Sequence, residues 1–240
     1  MIDVYFACKY YQKTMALEQV RLTVSPGEIV GLFGENGSGK TTLLKAMAGL
    51  IRLTYGSVRV DGLDPRFHNS ISYCSDKGTY FPQMTAMEHR DFLSAMEPSF
   101  DSKRFSQLID YFQLTPGLPV KTFSAGQQAK LELCCCLSIK ADWYLIDEPF
   151  LGKDFLARRD FIKLMSGLLP ETAGVVMATH LAGEIEPLIS RAVVMQKGRI
   201  IADQPVDALQ DTGEKLVPFL HRTCGYDESG ALALLQKIWE

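Results

Sequence analysis

The sequence lacks any run approaching the roughly 20 uninterrupted apolar residues that a membrane span needs. Its first residues, MIDVYFACKY, lack the basic stretch followed by an apolar one that marks a secretory leader, so the expectation is a chain that stays in the cytoplasm. It has no excess of positive charge: 25 Lys and Arg face 28 Asp and Glu, a net charge of -3. Nothing in that balance suits a phosphate backbone, and nucleic acid is not an expected partner. Internal repeats, low-complexity tracts and obvious flexible linkers are absent as well. The six cysteines form no framework: Cys134, Cys135 and Cys136 are adjacent, which fits neither paired zinc ligands nor a disulfide ladder, and they read as small buried packing residues.

What is present is the composition of an ordinary soluble globular protein, 47% hydrophobic and 22% charged over 240 residues. That length suits one large domain, or one domain with an inserted subdomain. In the opening third, VRLTV, Ser25-Pro26-Gly27, EIVGLF, a glycine-rich loop and TTLLKAMAGL read as hairpin, strand, loop and helix. SVRVDG alternates in period two, so the early strands can form an antiparallel layer beside a more buried parallel sheet. From about Tyr80 to Lys140 the apolar residues move to three- and four-residue spacing in MTAMEHRDFLSAM, FDSKRFSQLIDYFQL and GQQAKLELCCCLSI, a helical insertion. WYLID, VVMATH and AVVMQKGRII restore the strands, with LARRDFIKLMSGLL as a helix between the first two. The expected organisation is a single α/β domain: core from 1–76 and 141–205, helical subdomain 77–140, and helical tail 206–240. In that tail Leu232, Leu234, Leu235, Ile238 and Trp239 suit docking on the core or on a second copy.

The loop GENGSGKTT carries the chemistry. Gly34, Gly39, Lys40 and Thr41 satisfy G-x-x-x-x-G-K-[ST] between a predicted strand and a predicted helix, the context in which that motif binds a nucleotide. Its glycines let successive backbone N–H groups face phosphate oxygens at a helix N-terminus. The nucleotide-binding set is therefore Gly34, Glu35, Asn36, Gly37, Ser38, Gly39, Lys40, Thr41 and Thr42, with Lys40 reaching the β- and γ-phosphates and the Thr41 hydroxyl ligating Mg²⁺. WYLIDEP supplies a carboxylate at a strand end: Asp147 fits the metal-organising role, and Glu148 can take a proton from an attacking water.

The stretch KTFSAGQQAKLEL then resembles the LSGGQ signature of the ATP-binding-cassette (ABC) ATPases, and the likeness runs from about Val4 to Gly198. The resemblance implies a P-loop NTPase (RecA-like) core with an antiparallel β subdomain and an inserted α-helical subdomain. It implies that Tyr11 stacks on adenine, although Tyr10 offers the same ring one residue earlier. Ser124, Ala125, Gly126 and Gln127 would meet the γ-phosphate held by an opposing subunit, with Ala125 in place of the family's first glycine. Asp154 would communicate across the dimer, and His180 would be the switch histidine that orients the attacking water. Asp76 stands where the family generally has a glutamine that senses magnesium and γ-phosphate; it is a hard oxygen ligand, shorter and charged, and a plain loop aspartate is the competing reading.

The implied activity is ATP hydrolysis with ATP and Mg²⁺, in two sites shared between two cassettes, identical or related. The implied partner is a separate integral-membrane permease, received in a groove that YFPQMTAMEHRDF helps to line. The chain would sit on the cytoplasmic face of the cell membrane, most like bacterial export-type cassettes. A soluble ABC ATPase without a permease, of the iron-sulfur assembly kind, is the alternative; a regulatory or resistance ATPase that signals through its partner is a third. The cargo is contacted by the permease in the family scheme and leaves no trace in these residues.

Overall fold

The computed structural model describes residues 1–75, 78–149, 155–179 and 182–224. Nine strands are named: β1 (Ile2–Tyr11), β2 (Thr14–Val24), β3 (Ile29–Phe33), β4 (Tyr55–Val60), β5 (Ile71–Cys74), β6 (Trp143–Asp147), β7 (Gly174–Ala178), β8 (Arg191–Gln196) and β9 (Arg199–Pro205). The helices are α1 (Lys40–Met47), α2 (Ala86–Met96), α3 (Ser102–Tyr111), α4 (Ala125–Leu137), α5 (Phe155–Leu168), α6 (Ala182–Ile185), α7 (Val206–Asp211) and α8 (Leu216–Cys224). No helix among the described residues is long and apolar enough to cross a membrane.

The strands sort into two sheets, as the patterning predicts. One is antiparallel, in the order β2-β1-β4; the other runs β5-β6-β7-β3-β8-β9, parallel except for β9. The hairpin of the first sheet joins β1 to β2, while the Ser25-Pro26-Gly27 turn carries the chain from β2 to β3 and so from one sheet to the other. In β1 the positive φ of Phe6 accompanies a register shift between Val4 and Ala7 against β2, and the buried side chains change parity from Ile2 and Val4 to Ala7. Such a bulge erases the period-two signal that would otherwise mark the strand.

The core strands are apolar throughout because both their faces are covered. Their alternation divides the interior in two. Trp143, Leu145, Val176, Ala178, Val193 and Met195 pack with α1 and the antiparallel sheet through Leu43, Leu44, Met47, Ile2 and Leu22. Tyr144, Ile146, Val175, Met177, Ala192 and Val194 pack the other way, with Leu131 and Leu137 of α4, Ile185 of α6, and Leu216 and Phe219 of α8. The described part of the tail is thus docked on the core. The residues of that tail singled out from the sequence, Leu232 to Trp239, lie outside the described residues.

The helical insertion is framed by its caps. Thr85 and Glu88 form a reciprocal capping box on α2, Asp101 caps α3, and Ser124 with Gln127 forms a second box on α4. Cys134 and Cys136 are buried as expected, whereas Cys135 is only half-buried, and all six cysteines are free thiols. Burial pushes the Cys134 thiol well above the ordinary range, the state of an inert core thiol.

At the joint between β6 and β7, a Cβ on Gly174 would lie 2.1 Å from the Trp143 ring, whose indole N–H donates to Asp61 at 2.9 Å and so cannot swing away. Gly174→Ala should therefore cost about 2 kcal/mol and lower the melting temperature by about 6 °C, measured by thermal unfolding of the purified chain.

Candidate functional site

The site forms where the C-terminal ends of the parallel strands converge, the usual position for a ligand in an open α/β sheet. The phosphate loop leaves the end of β3 and enters α1 at Lys40. Two of its glycines are demanded by close approach: a Cβ on Gly34 would stand 2.2 Å from the Met195 carbonyl oxygen of β8, and one on Gly39 2.6 Å from the Ala16 carbonyl oxygen of β2. Both have positive φ, 144° and 110°. The loop is also held from outside by Gly198 in the β8–β9 turn, whose N–H donates to the Ser38 carbonyl at 2.9 Å. That turn was not legible as part of the site; its only sequence signal is the Lys197-Gly198 pair.

Lys40 is only 6% exposed, and its ammonium donates to the carbonyl oxygens of Gly34 at 2.7 Å and Glu35 at 3.2 Å. Burial lowers its pKa, while the nearby carboxylates of Glu148 and Asp147 act in the opposite direction. Glu35, Asn36 and Gly37 form the exposed rim of the loop; Thr41 and Thr42 are half-buried in the first turn of α1.

Asp147 is fully buried at the last position of β6, with the Tyr73 hydroxyl 3.5 Å from its Oδ2. Glu148 follows in a left-handed conformation, φ 48°, and its N–H donates to the Ala178 carbonyl at the end of β7 at 2.8 Å. A positive φ on a non-glycine residue at a strand end is backbone strain of the kind that gathers at functional sites. Thr179, buried, donates from its N–H to Leu32 of β3. The ends of β3, β6 and β7 are therefore tied together, bringing Lys40, Asp147 and Glu148 into one cluster next to the residue that precedes His180. His180 itself, like Asp76 and Asp154, lies outside the described residues.

The residues present suit a nucleotide. Among the described residues the buried Ser38 hydroxyl has no hydrogen-bond partner, and the first turn of α1 begins at Gly39 with no side-chain cap, so its N–H groups are open to an anion. Among the described residues no group of three His, Cys, Asp or Glu can hold a metal by itself. Magnesium keeps waters and takes one or two protein oxygens together with phosphate oxygens; Thr41 and Asp147 are the residues that would hold it.

The signature segment is elsewhere. Ser124 and Ala125 are exposed at the start of α4, and no hydrogen bond or ion pair among the described residues joins Ser124, Ala125, Gly126 or Gln127 to the phosphate loop. Ser124 accepts the Gln127 N–H at 3.3 Å, so it does cap the helix, and its own hydroxyl proton remains available to donate. Tyr11, at the end of β1, is exposed, with the Lys9 ammonium 5.1 Å from its ring centre; Tyr10 is exposed too. The hairpin that carries them continues to Ala16, the residue that backs Gly39. Sequence reasoning passed over Glu132, a carboxylate inside the apolar run LELCCCL of α4, where the charge itself is the signal.

The sequence profile of the ABC transporter family matches residues 17–151. The chain is 32% identical over 208 residues to the ABC transporter ATP-binding protein YthP of Bacillus subtilis, covering 84% of this chain and 85% of that one. It is 29% identical over 224 residues to the lipopolysaccharide export system ATP-binding protein LptB of Haemophilus influenzae, 87% of this chain and 92% of that protein. It is likewise 29% identical over 217 residues to the glutamine transport ATP-binding protein GlnQ of Escherichia coli, 85% and 90% of the two chains. A solved ATP-binding subunit of an ABC transporter superposes with a TM-score of 0.81 at 25% identity, covering 94% of this chain and 99% of that one. With that profile lying over the phosphate loop, Ser124 to Gln127 and the Asp147-Glu148 strand end, the chain belongs to the ABC transporter family, as one of its ATP-binding, ATP-hydrolysing subunits.

Proposed function

We propose that the chain is one of two cassettes that close face to face on ATP, and that the closure drives a separate membrane permease, in the direction of export. The observation that carries the paired arrangement is the separation within one chain of two helix N-termini suited to phosphate. The start of α1 lies in the core site, whereas among the described residues Ser124 and the start of α4 make no hydrogen bond to that site and are exposed. A second copy would bring its Ser124 to the phosphates held by this chain's loop.

In such a site Lys40 would leave the Gly34 and Glu35 carbonyls for phosphate oxygens, and the Ser38 hydroxyl would gain a partner. Thr41 and Asp147, with Asp76 as a further oxygen ligand, would hold magnesium, which would supply charge neutralisation at the phosphates. Glu148 would accept the proton of the attacking water, and His180 would orient that water against the γ-phosphate. Asp154 would report the state of one site to the other. Tyr11 would stack on the adenine, a contact any base can make. The division into a core of 1–76 and 141–205, a helical subdomain of 77–140 and a tail of 206–240 belongs to the same reading.

For the permease, support comes from the start of the helical subdomain. Phe81 and Phe92 are 48% and 40% exposed with ring centres 5.3 Å apart, and Met96 at the end of α2 is 67% exposed. This apolar strip is a seat for a cytoplasmic helix of a membrane partner. The chain would then lie on the cytoplasmic face of the membrane. Export rests on the ending GRIIADQP, since the likeness to LptB is matched by that to GlnQ.

Glu148→Gln should reduce ATP turnover by about 100-fold or more and accumulate an ATP-bound dimer, measured by phosphate release and sedimentation; undiminished turnover would contradict the role of Glu148. Lys40→Ala and Ser124→Ala should each lose turnover alone, and mixing the two inactive proteins should restore part of it, because a mixed pair contains one site with both residues intact. A mixture that stays inactive while mixed dimers are present would count against shared sites. Expressed with its genomic neighbours, the chain should purify from membranes in a complex with a multispanning protein; soluble partners alone would overturn the permease.

A further inference from the structure

We propose that Glu132 is a positioning residue that ties the backbone at Ser75 and Thr79, beyond β5, to the signature helix α4, so that a displacement of these residues is delivered to Ser124. The inference rests on the paired-cassette reading, since it gives Ser124 something to move toward.

The carboxylate of Glu132 is 4% exposed and accepts three hydrogen bonds from these residues: the Ser75 N–H at 3.3 Å, the Thr79 N–H at 2.9 Å and the Thr79 hydroxyl at 2.9 Å. Its neighbours on α4, Leu131, Leu133, Cys134 and Cys136, are buried and apolar. Desolvating a carboxylate in such surroundings is unfavourable unless it is hydrogen-bonded, and these three donors are what hold it there. Two further residues of the same helix face grip the same stretch. One turn earlier, Gln128 accepts the Tyr80 hydroxyl at 2.7 Å and donates to the Phe123 carbonyl at 3.2 Å, immediately before Ser124. One turn later, the Cys136 carbonyl accepts the Ser72 hydroxyl of β5 at 2.9 Å. Beyond Tyr80, the Phe81 N–H donates to Nε2 of His89 on α2, and its ring belongs to the exposed apolar strip. A continuous set of hydrogen bonds therefore runs from that strip through Thr79 and Tyr80 to α4 and its capping serine. Glu132 is the member that holds both Ser75 and Thr79.

The test uses the full chain carrying Glu148→Gln, with ATP and magnesium, following dimer formation by sedimentation and ATP binding to the dilute monomer by calorimetry. Adding Glu132→Ala should raise the ATP concentration at half-dimerisation about tenfold while monomer affinity for ATP changes less than about twofold; Glu132→Gln, which keeps the volume and one accepting oxygen, should recover most of the loss. Thr79→Val, which removes one hydrogen bond from the opposite side, should shift dimerisation about threefold in the same direction and fail to add to Glu132→Ala. It serves in place of Glu132→Ala if that variant does not fold. Unchanged dimerisation in the folded variants, or an equal fall in monomer affinity, would overturn the proposal alone. A Glu148→Gln parent that stays monomeric would overturn the paired-cassette reading and this inference with it.

Discussion

The site depends on backbone packed directly against backbone. At Gly34 and Gly39 the phosphate loop touches the carbonyls of Met195 and Ala16, which belong to different sheets, and no side chain fits in either gap. The antiparallel sheet and the edge of the parallel one therefore act as two jaws on the loop. Residues with no chemistry of their own, Ala16, Met195 and Gly198, determine where Lys40 and the open N–H groups of α1 point. This is pre-organisation by sterics: the backbone of the loop has little left to order.

The two-sheet division and the helical insertion were legible because burial on two faces makes β6 and β7 uniformly apolar, while α2, α3 and α4 follow helical spacing between capping residues. The phosphate loop and the Asp147-Glu148 strand end were legible because phosphate chemistry demands particular residues at particular spacing. β1 was not, since the bulge at Phe6 moves its buried side chains from one parity to the other. The role of Gly198 was hidden because it works through a backbone N–H, which any residue type carries. Glu132 was missed for the opposite reason: its charge was visible, but the helix pattern around it reads as core.

Ser124 shows how one residue can satisfy two descriptions that sequence reasoning sets against each other. It closes the N-terminus of α4 as an acceptor, and a hydroxyl in that role retains a proton to donate. An N-cap and a phosphate contact are compatible uses of a single oxygen. The helix start at the exposed Ala125 would supply the partial positive charge for the second use.

The alternation along β6, β7 and β8 has a consequence for cooperativity. Every second side chain of these strands belongs to one apolar cluster and the remainder to the other, so the two interiors share their strands while sharing no buried side chain. Neither can melt without withdrawing the strands on which the other is built. The cluster beneath α1 and the cluster beneath α4 are coupled through the peptide backbone itself, and disorder begun on the helical side reaches the nucleotide side as a loss of strand order rather than as a cavity.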